Sequence, residues 1–208
     1  MPLSKAHKEQ THRRVVQTAA RAFRAQGIKG VGVAEVMREA GLTQGAFYAH
    51  FDSKDALVAA ACTEGFQESS SPLLAAMKEA EPGTAVSAYI RGYLSRSHRD
   101  HPETGCVIAS LGQEIVRGSP ETRRAFTRAL ETYMSKLARY AEGDTEEARE
   151  DAMYVLVSGA AGALLMSRAV DDPALSDRIL RAARRFYRNA CGATTPAHSE
   201  VTNPPSSS

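Results

Sequence analysis

The stretch Val33–Phe51, VAEVMREAGLTQGAFYAHF, constrains the fold more than any other part of the chain. Val33, Val36, Met37 and Ala40 stand at i, i+3, i+4 and i+7, the spacing of one apolar helix face, and the run stops at Gly41. After Leu42-Thr43 a second short helix is expected over about residues 44–50. Two helices so close need a sharp joint at Ala40-Gly41-Leu42, and glycine takes the left-handed backbone of that joint without steric cost. Ahead of them, Val15, Val16, Ala19, Ala20 and Phe23 mark a helix over residues 10–26, stopped by Gly27. Val36, Met37, Ala40, Leu42, Phe47 and Phe51 are expected to pack on that helix. One face of the second short helix is then left bare.

That face has chemistry suited to nucleic acid. Thr43 and Gln44 put a hydroxyl and an amide at the helix start, where they can meet base edges or phosphate. Gly45 and Ala46 are small enough for close approach to a groove floor. Tyr48 and His50 can donate to phosphates, and Lys54 lies in the first turn of the next helix, where N-terminal amides also favour phosphate. Charge is consistent with this. Residues 1–60 hold nine Lys/Arg against five Asp/Glu, in a chain whose total is only +2, so a basic head sits on a slightly acidic body. The periodicity alone fits an ordinary three-helix subdomain equally well.

The segment GVGVAEVMREAGLTQGAFYAHFDSKDALV (30–58), and AGLTQGAFYAHFDSKDAL within it, resembles the DNA-binding signature of the TetR family of transcriptional regulators. The resemblance runs over about residues 15–57; beyond that only length and helix layout agree. It implies an all-α, nine-helix TetR-like architecture, with an N-terminal three-helix helix-turn-helix domain and a C-terminal helical ligand-binding and dimerisation domain. It implies that Thr43, Gln44, Gly45 and Ala46 read or approach the major groove, while Tyr48, His50 and Lys54, with Arg13 or Arg14, hold phosphates. Two departures stand out. Val31 and Gly32 occupy positions where the family commonly has Thr-Thr or Thr-Ser, so a phosphate-contacting hydroxyl is missing there, although glycine remains an acceptable N-cap. Met37 stands where alanine is usual, so the two short helices are expected to pack slightly further apart.

The expected organisation is a flexible basic arm (1–9), the helix-turn-helix domain (10–53), an effector-binding and dimerisation body (54–192) and a Thr/Pro/Ser-rich disordered tail (193–208). In the body, helices are expected from Lys54 to about Ala80, kinked or broken near Ser69–Pro72. Others follow over about 83–101, 105–117, 120–142, 145–170 and 173–192. Abundant alanine and arginine and the absence of tryptophan suit an all-helical chain.

A single short recognition helix makes few contacts, whereas two about 34 Å apart read a palindrome, so a two-fold homodimer is expected. The helix over 145–170 is apolar most of the way round. Val155, Leu156, Gly159, Ala160 and Ala163, with Ile179, Ala183 and Phe186 of the last helix, are the candidate interface; a core helix buried within a monomer has the same pattern. Arg178, Arg181, Arg185 and Arg188 form a stripe that either pairs with Glu146, Glu147, Glu150 and Asp151 or is simply solvated.

Phe66, Met77, Tyr89, Tyr93, Cys106, Leu111, Tyr133, Met134 and Met153 are candidates for an effector pocket, with ordinary core packing as the alternative for each. Their character points to an apolar or aromatic small molecule. The segment HPETGCVIASLGQEI (101–115) also resembles a TetR subgroup whose cysteine senses electrophiles or oxidants, which makes Cys106 a candidate reactive thiol or else an inert buried one.

Cys62, Cys106 and Cys191 lack metal-ligand spacing and suit a reducing, cytoplasmic compartment. No signal-peptide core is expected at the N-terminus, and the apolar run 152–166 is shorter than a bilayer span. No metal, cofactor or catalytic residue is expected: His98 and His101 lack a further ligand cluster, and no nucleophile–base pair or phosphate loop is found. The expected partners are double-stranded DNA, a second copy of the chain and a small effector, with no membrane. A DNA-binding activator without small-molecule control and a helical enzyme are the alternatives.

Overall fold

The computed structural model describes residues 5–191, all of them helix or short connection. The expected tail (193–208) and the first four residues of the expected arm lie outside the described residues. Helix α1 runs over Lys5–Gln26, so residues 5–9, expected as an arm, are its exposed first turns. Its buried face is Val15, Val16, Ala19, Ala20 and Phe23, as the spacing predicts.

Helix α2 (Val33–Glu39) follows. Gly41 has φ +70°. The Leu42 amide donates to the Met37 carbonyl (2.8 Å) and the Gly41 amide to Arg38 (3.0 Å), the paired bonds that close a helix on a left-handed residue. The recognition segment Gln44–Ala49 is a 3-10 helix rather than an α-helix. Phe47 and Phe51, both buried, stack at 5.6 Å and pin it down; six residues between a tight turn and a fixed anchor leave little room for α-geometry.

Helix α3 (Lys54–Lys78) is capped by Ser53, whose hydroxyl accepts from the Ala56 amide at 3.0 Å. It runs unbroken through Pro72, where a kink or break was expected. Beside the proline, the Ser71 hydroxyl donates to the Gln67 carbonyl at 2.6 Å. Packing against α1, α4 and α7 along its whole length outweighs the local preference to stop.

The expected fifth helix is two: α4 (Ala85–Tyr93) and α5 (Arg96–Asp100). They part at Leu94, and Ser95 caps α5 by accepting from the His98 amide (3.1 Å). Then come a 3-10 turn (Pro102–Thr104), α6 (Val107–Val116), α7 (Pro120–Ala138), α8 (Glu146–Ala169) and α9 (Pro173–Cys191). Prolines at the first positions of α7 and α9 sit where the missing N–H costs nothing. Where α8 and α9 cross, a Cβ on Gly159 would lie 1.7 Å from the Tyr187 hydroxyl, so this contact depends on glycine.

Two ties bind head to body, one buried and one near the surface. The Arg24 guanidinium, shut off from solvent, donates to the carbonyls of Ala20 (3.0 Å), Gly65 (3.2 Å) and Gly105 (3.0 Å) and pairs with Glu68. The Glu114 carboxylate at the far end of α6 accepts from the amides of Ile28 (3.1 Å) and Lys29 (3.0 Å), just past α1. Together they fix α1 to both ends of α6 and to the middle of α3.

Candidate nucleic-acid interface

The recognition segment is built from one inward and several outward side chains. Phe47 points into the core and carries the segment with it. His12 of α1 stacks on Phe51 at 4.6 Å and completes the anchor. Thr43, Gln44 and Gly45 are exposed, Ala46 is half-buried, and Tyr48 is 77 % exposed. The Thr43 hydroxyl takes no capping bond and is available to a ligand. Arg13 and Arg14 are exposed on α1. Gly32, at the α2 N-cap, offers no side-chain bond, and Val31 is fully buried, so that corner presents no hydroxyl. Met37 is wholly enclosed between the short helices.

His50 closes the segment. Its Nδ1 is buried without a partner. Burial, then the nearby His12 and Lys8, hold its imidazole below the ordinary 6.5. Beside it lies a groove of about 910 Å³, with Lys5, Lys8, His12, Arg13 and His50 among its lining residues and Glu64 and Gln67 opposite. Lys5 and Lys8 line this groove, a placement that sequence reasoning missed: read as part of a loose arm, they stand beside Arg13 because α1 begins at Lys5.

Lys54 has partners within the protomer. Its ammonium donates to the carbonyls of Ile28 (2.7 Å) and Val31 (2.6 Å) and lies over the Phe23 ring. It ties the loop after α1 to α3, with two of its three N–H donors engaged.

In the body, the nine candidate pocket residues are all buried and mostly contiguous. The Tyr89 and Tyr133 hydroxyls bond at 2.7 Å, Phe66 meets Tyr133 with ring centres 6.1 Å apart, and Tyr89 meets Tyr93 at 5.4 Å. The Tyr93 hydroxyl is buried and unpaired, and burial followed by the neighbouring Cys106 pushes its ionisation far up. A crevice of about 160 Å³ reaches this cluster, between α3 and α7 at Phe66 and Tyr133. Cys106, 4 % exposed, is the N-cap residue of α6, and its amide donates to His98 Nε2 at 2.9 Å. His98 Nδ1 bonds the Tyr93 carbonyl at 2.7 Å, so both ring nitrogens are used in holding the fold. Cys62 is buried, its thiol pushed up to about 12, and Cys191 is exposed. Among the described residues no three His, Cys, Asp or Glu side chains gather as metal ligands.

The expected dimer residues divide. Val155 (66 % exposed) and Phe186 (65 %) are open, with Leu165, Met166 and Leu175 beside them in the exposed set. Gly159, Ala163, Ile179 and Ala183 are half-buried. Leu156 and Ala160 are fully buried in the protomer's own core, which corrects their assignment to the outer face. Helix α8 is apolar on both sides, and the side turned into the protomer claims these two. By length and composition α8 could cross a membrane; here one side of it packs on α6, α7 and α9. Among the described residues the α9 arginines make no ion pair with Glu146, Glu147, Glu150 or Asp151.

Comparison with known proteins agrees with this architecture. Residues 15–61 match the family of bacterial regulatory proteins, tetR family, and residues 82–183 match the tetracyclin repressor-like C-terminal domain. The chain is 41 % identical over 49 residues to the HTH-type transcriptional regulator YerO of Bacillus subtilis, a match spanning 24 % of this chain and 17 % of that protein. The reduced form of E. coli NemR superposes with a TM-score of 0.73 at 21 % identity, over 90 % of this chain and 99 % of that one. A TetR-family regulator from Cytophaga hutchinsonii gives 0.72 at 20 % identity, over 91 % and 98 %. With both its head and its body matched, this chain belongs to the TetR family of transcriptional regulators.

Proposed function

We propose that the chain is a repressor that binds a palindromic operator as a homodimer in the cytoplasm and is released by a small apolar, aromatic or electrophilic effector. The observation that carries this reading is the recognition segment: Phe47 locked inside while Thr43, Gln44, Gly45 and Tyr48 face out. Exposed Arg13 and Arg14 and the first-turn lysines of α1 supply the phosphate-facing charge. The open apolar side chains Val155, Met166 and Phe186 on α8 and α9 support a two-fold interface, because large exposed apolar patches mark contact surfaces. The head ends at Ser53 and the body begins with α3. The protein acts by binding rather than by catalysis.

The effector enters at the crevice over Phe66 and Tyr133, or reacts at Cys106, the residue at the N-cap of α6. Favouring a body geometry with altered head spacing then releases DNA. The filled core around Tyr89 and Met134 favours a second reading, a DNA-binding activator without small-molecule control. A footprint of the full chain on the duplex upstream of its own gene tests the first part. Gln44→Ala is expected to weaken it, and Phe186→Glu to yield monomers in light scattering with loss of the footprint. An electrophile that releases wild type but not Cys106→Ser supports the sensing arm. A monomeric wild type, or no protected site even in dilute salt, defeats the proposal.

A further inference from the structure

Four arginines from three helices converge on one groove that DNA contact and dimerisation leave unused. The groove, about 420 Å³, lies between α4–α5 and α9 and is lined by Arg91, Arg96, Arg181 and Arg184, with Ser95 and Asp177. Asp177 is the one carboxylate among its lining residues, and it is already shared: it pairs with Arg96, and with Arg99 at 2.9 Å. Those two cations hold its carboxyl below the ordinary range. Among the described residues Arg91 and Arg181 have no hydrogen-bond or ion-pair partner. Arg184 donates to the Leu94 carbonyl through one terminal nitrogen, while its Nε is buried with no partner at all. The groove therefore concentrates positive charge that the protein does not neutralise.

The geometry of α9 keeps this groove clear of a second copy. Asp177, Arg181 and Arg184 recur at helical spacing on one stripe, whereas Leu175, Ile179 and Phe186 fall on the opposite one. The guanidinium fork matches the paired oxygens of an oxyanion, and charge-assisted bonds of this kind are about twice as strong as neutral ones. A lone phosphate satisfies one or two forks, while a chain of phosphates spans several. The volume falls in the range of small-molecule sites, roughly 300–1,000 Å³.

We infer that the groove between α4–α5 and α9 binds a small molecule bearing a di- or triphosphate, at Arg91, Arg96, Arg181 and Arg184. Occupancy there has a route to the head. Helix α5, capped by Ser95, carries the carbonyls of His98 and Arg99, both held by Arg168, and His98 holds the amide of Cys106 at the start of α6. Helix α6 ends near Glu114, on the amides after α1.

The test is calorimetric titration of the full-length protein with inorganic tripolyphosphate, at constant ionic strength set with chloride, because surface electrostatics are screened by salt. One site per protomer is expected. Arg91→Gln/Arg181→Gln is expected to weaken it by about tenfold or more. Both side chains are exposed and unpaired, so that variant keeps the wild-type circular dichroism and melting temperature. Arg13→Gln/Arg14→Gln, on the DNA-facing head, is expected to leave the site within about twofold. Citrate serves as the polycarboxylate arm and is expected to bind more weakly. No binding of tripolyphosphate, equal loss in the head variant, undiminished binding in the groove variant, or tighter binding of citrate overturns the inference.

Discussion

His98 links the middle of the body to the start of α6, and protonating it is expected to loosen the fold in a defined pH window. Its Nδ1–H donates to the Tyr93 carbonyl (2.7 Å), and its Nε2 accepts from the Cys106 amide (2.9 Å). Burial, with help from the Arg168 and Arg24 guanidiniums and against the Tyr93 bond, lowers the imidazole from 6.5 to about 4. The neutral ring is thus the folded form, and a proton would turn its acceptor on Cys106 into a second donor. Above pH 6.5 both folded and unfolded chains carry a neutral His98, and its contribution is complete. As pH falls below 6.5 the unfolded chain takes up a proton that the folded one refuses, so stability is lost until about pH 4. At about 1.4 kcal/mol per pH unit this interval corresponds to roughly 3 kcal/mol. The assay is urea unfolding across the window at fixed protein concentration, for wild type and His98→Gln, whose amide oxygen keeps an acceptor near the Nε2 position. Carboxylate effects are common to both proteins and cancel. Wild type is expected to lose roughly 3 kcal/mol more than the variant on acidification. Parallel stability curves, or an imidazole resonance that titrates near 6.5 in the folded protein, refute the reasoning.

Three further outcomes follow from the same geometry. Gly41→Ala meets no neighbour within 4 Å, so its cost is purely that of the left-handed backbone, about 1 kcal/mol on thermal or urea unfolding; no loss would mean that the turn relaxes. Arg24→Met leaves the buried carbonyls of Gly65 and Gly105 without their donor, while Glu68 keeps Arg21, and is expected to cost about 2–4 kcal/mol, with Arg24→Lys recovering little because an ammonium lacks the fork. Operator affinity is expected to rise as pH falls from neutral, because a phosphate beside His50 favours the imidazolium that burial, His12 and Lys8 oppose in the free protein; His50→Gln should flatten that slope in a binding titration.

Much of the head was legible before any coordinates. Helical periodicity located α1 and α2, Gly41 marked the turn, and Phe47 and Phe51 identified the anchor of the recognition segment. These features are local: each depends on neighbours within a turn or two. The body was legible as a set of helices, and the prolines and Ser/Thr caps placed several of their starts. Pro72 shows where that reasoning stops. The residue disfavours a helix interior, yet α3 persists because it is packed along its whole length. Lys54 shows the same limit at the site, since its two carbonyl partners come from a loop more than twenty positions away in the chain.

The sequence by itself determined that the chain is helical, where its helix-turn-helix lies and which side chains are apolar enough for a core, because spacing, turn chemistry and residue type suffice for those. Only the tertiary structure decided which side of the doubly apolar α8 turns inward, burying Leu156 and Ala160 and leaving Val155 open. It also decided that Arg91, Arg96, Arg181 and Arg184 share one groove and that His98 serves the backbone of α6. Those outcomes depend on segments distant in the chain meeting in space, and periodicity along one helix carries no record of what it will meet.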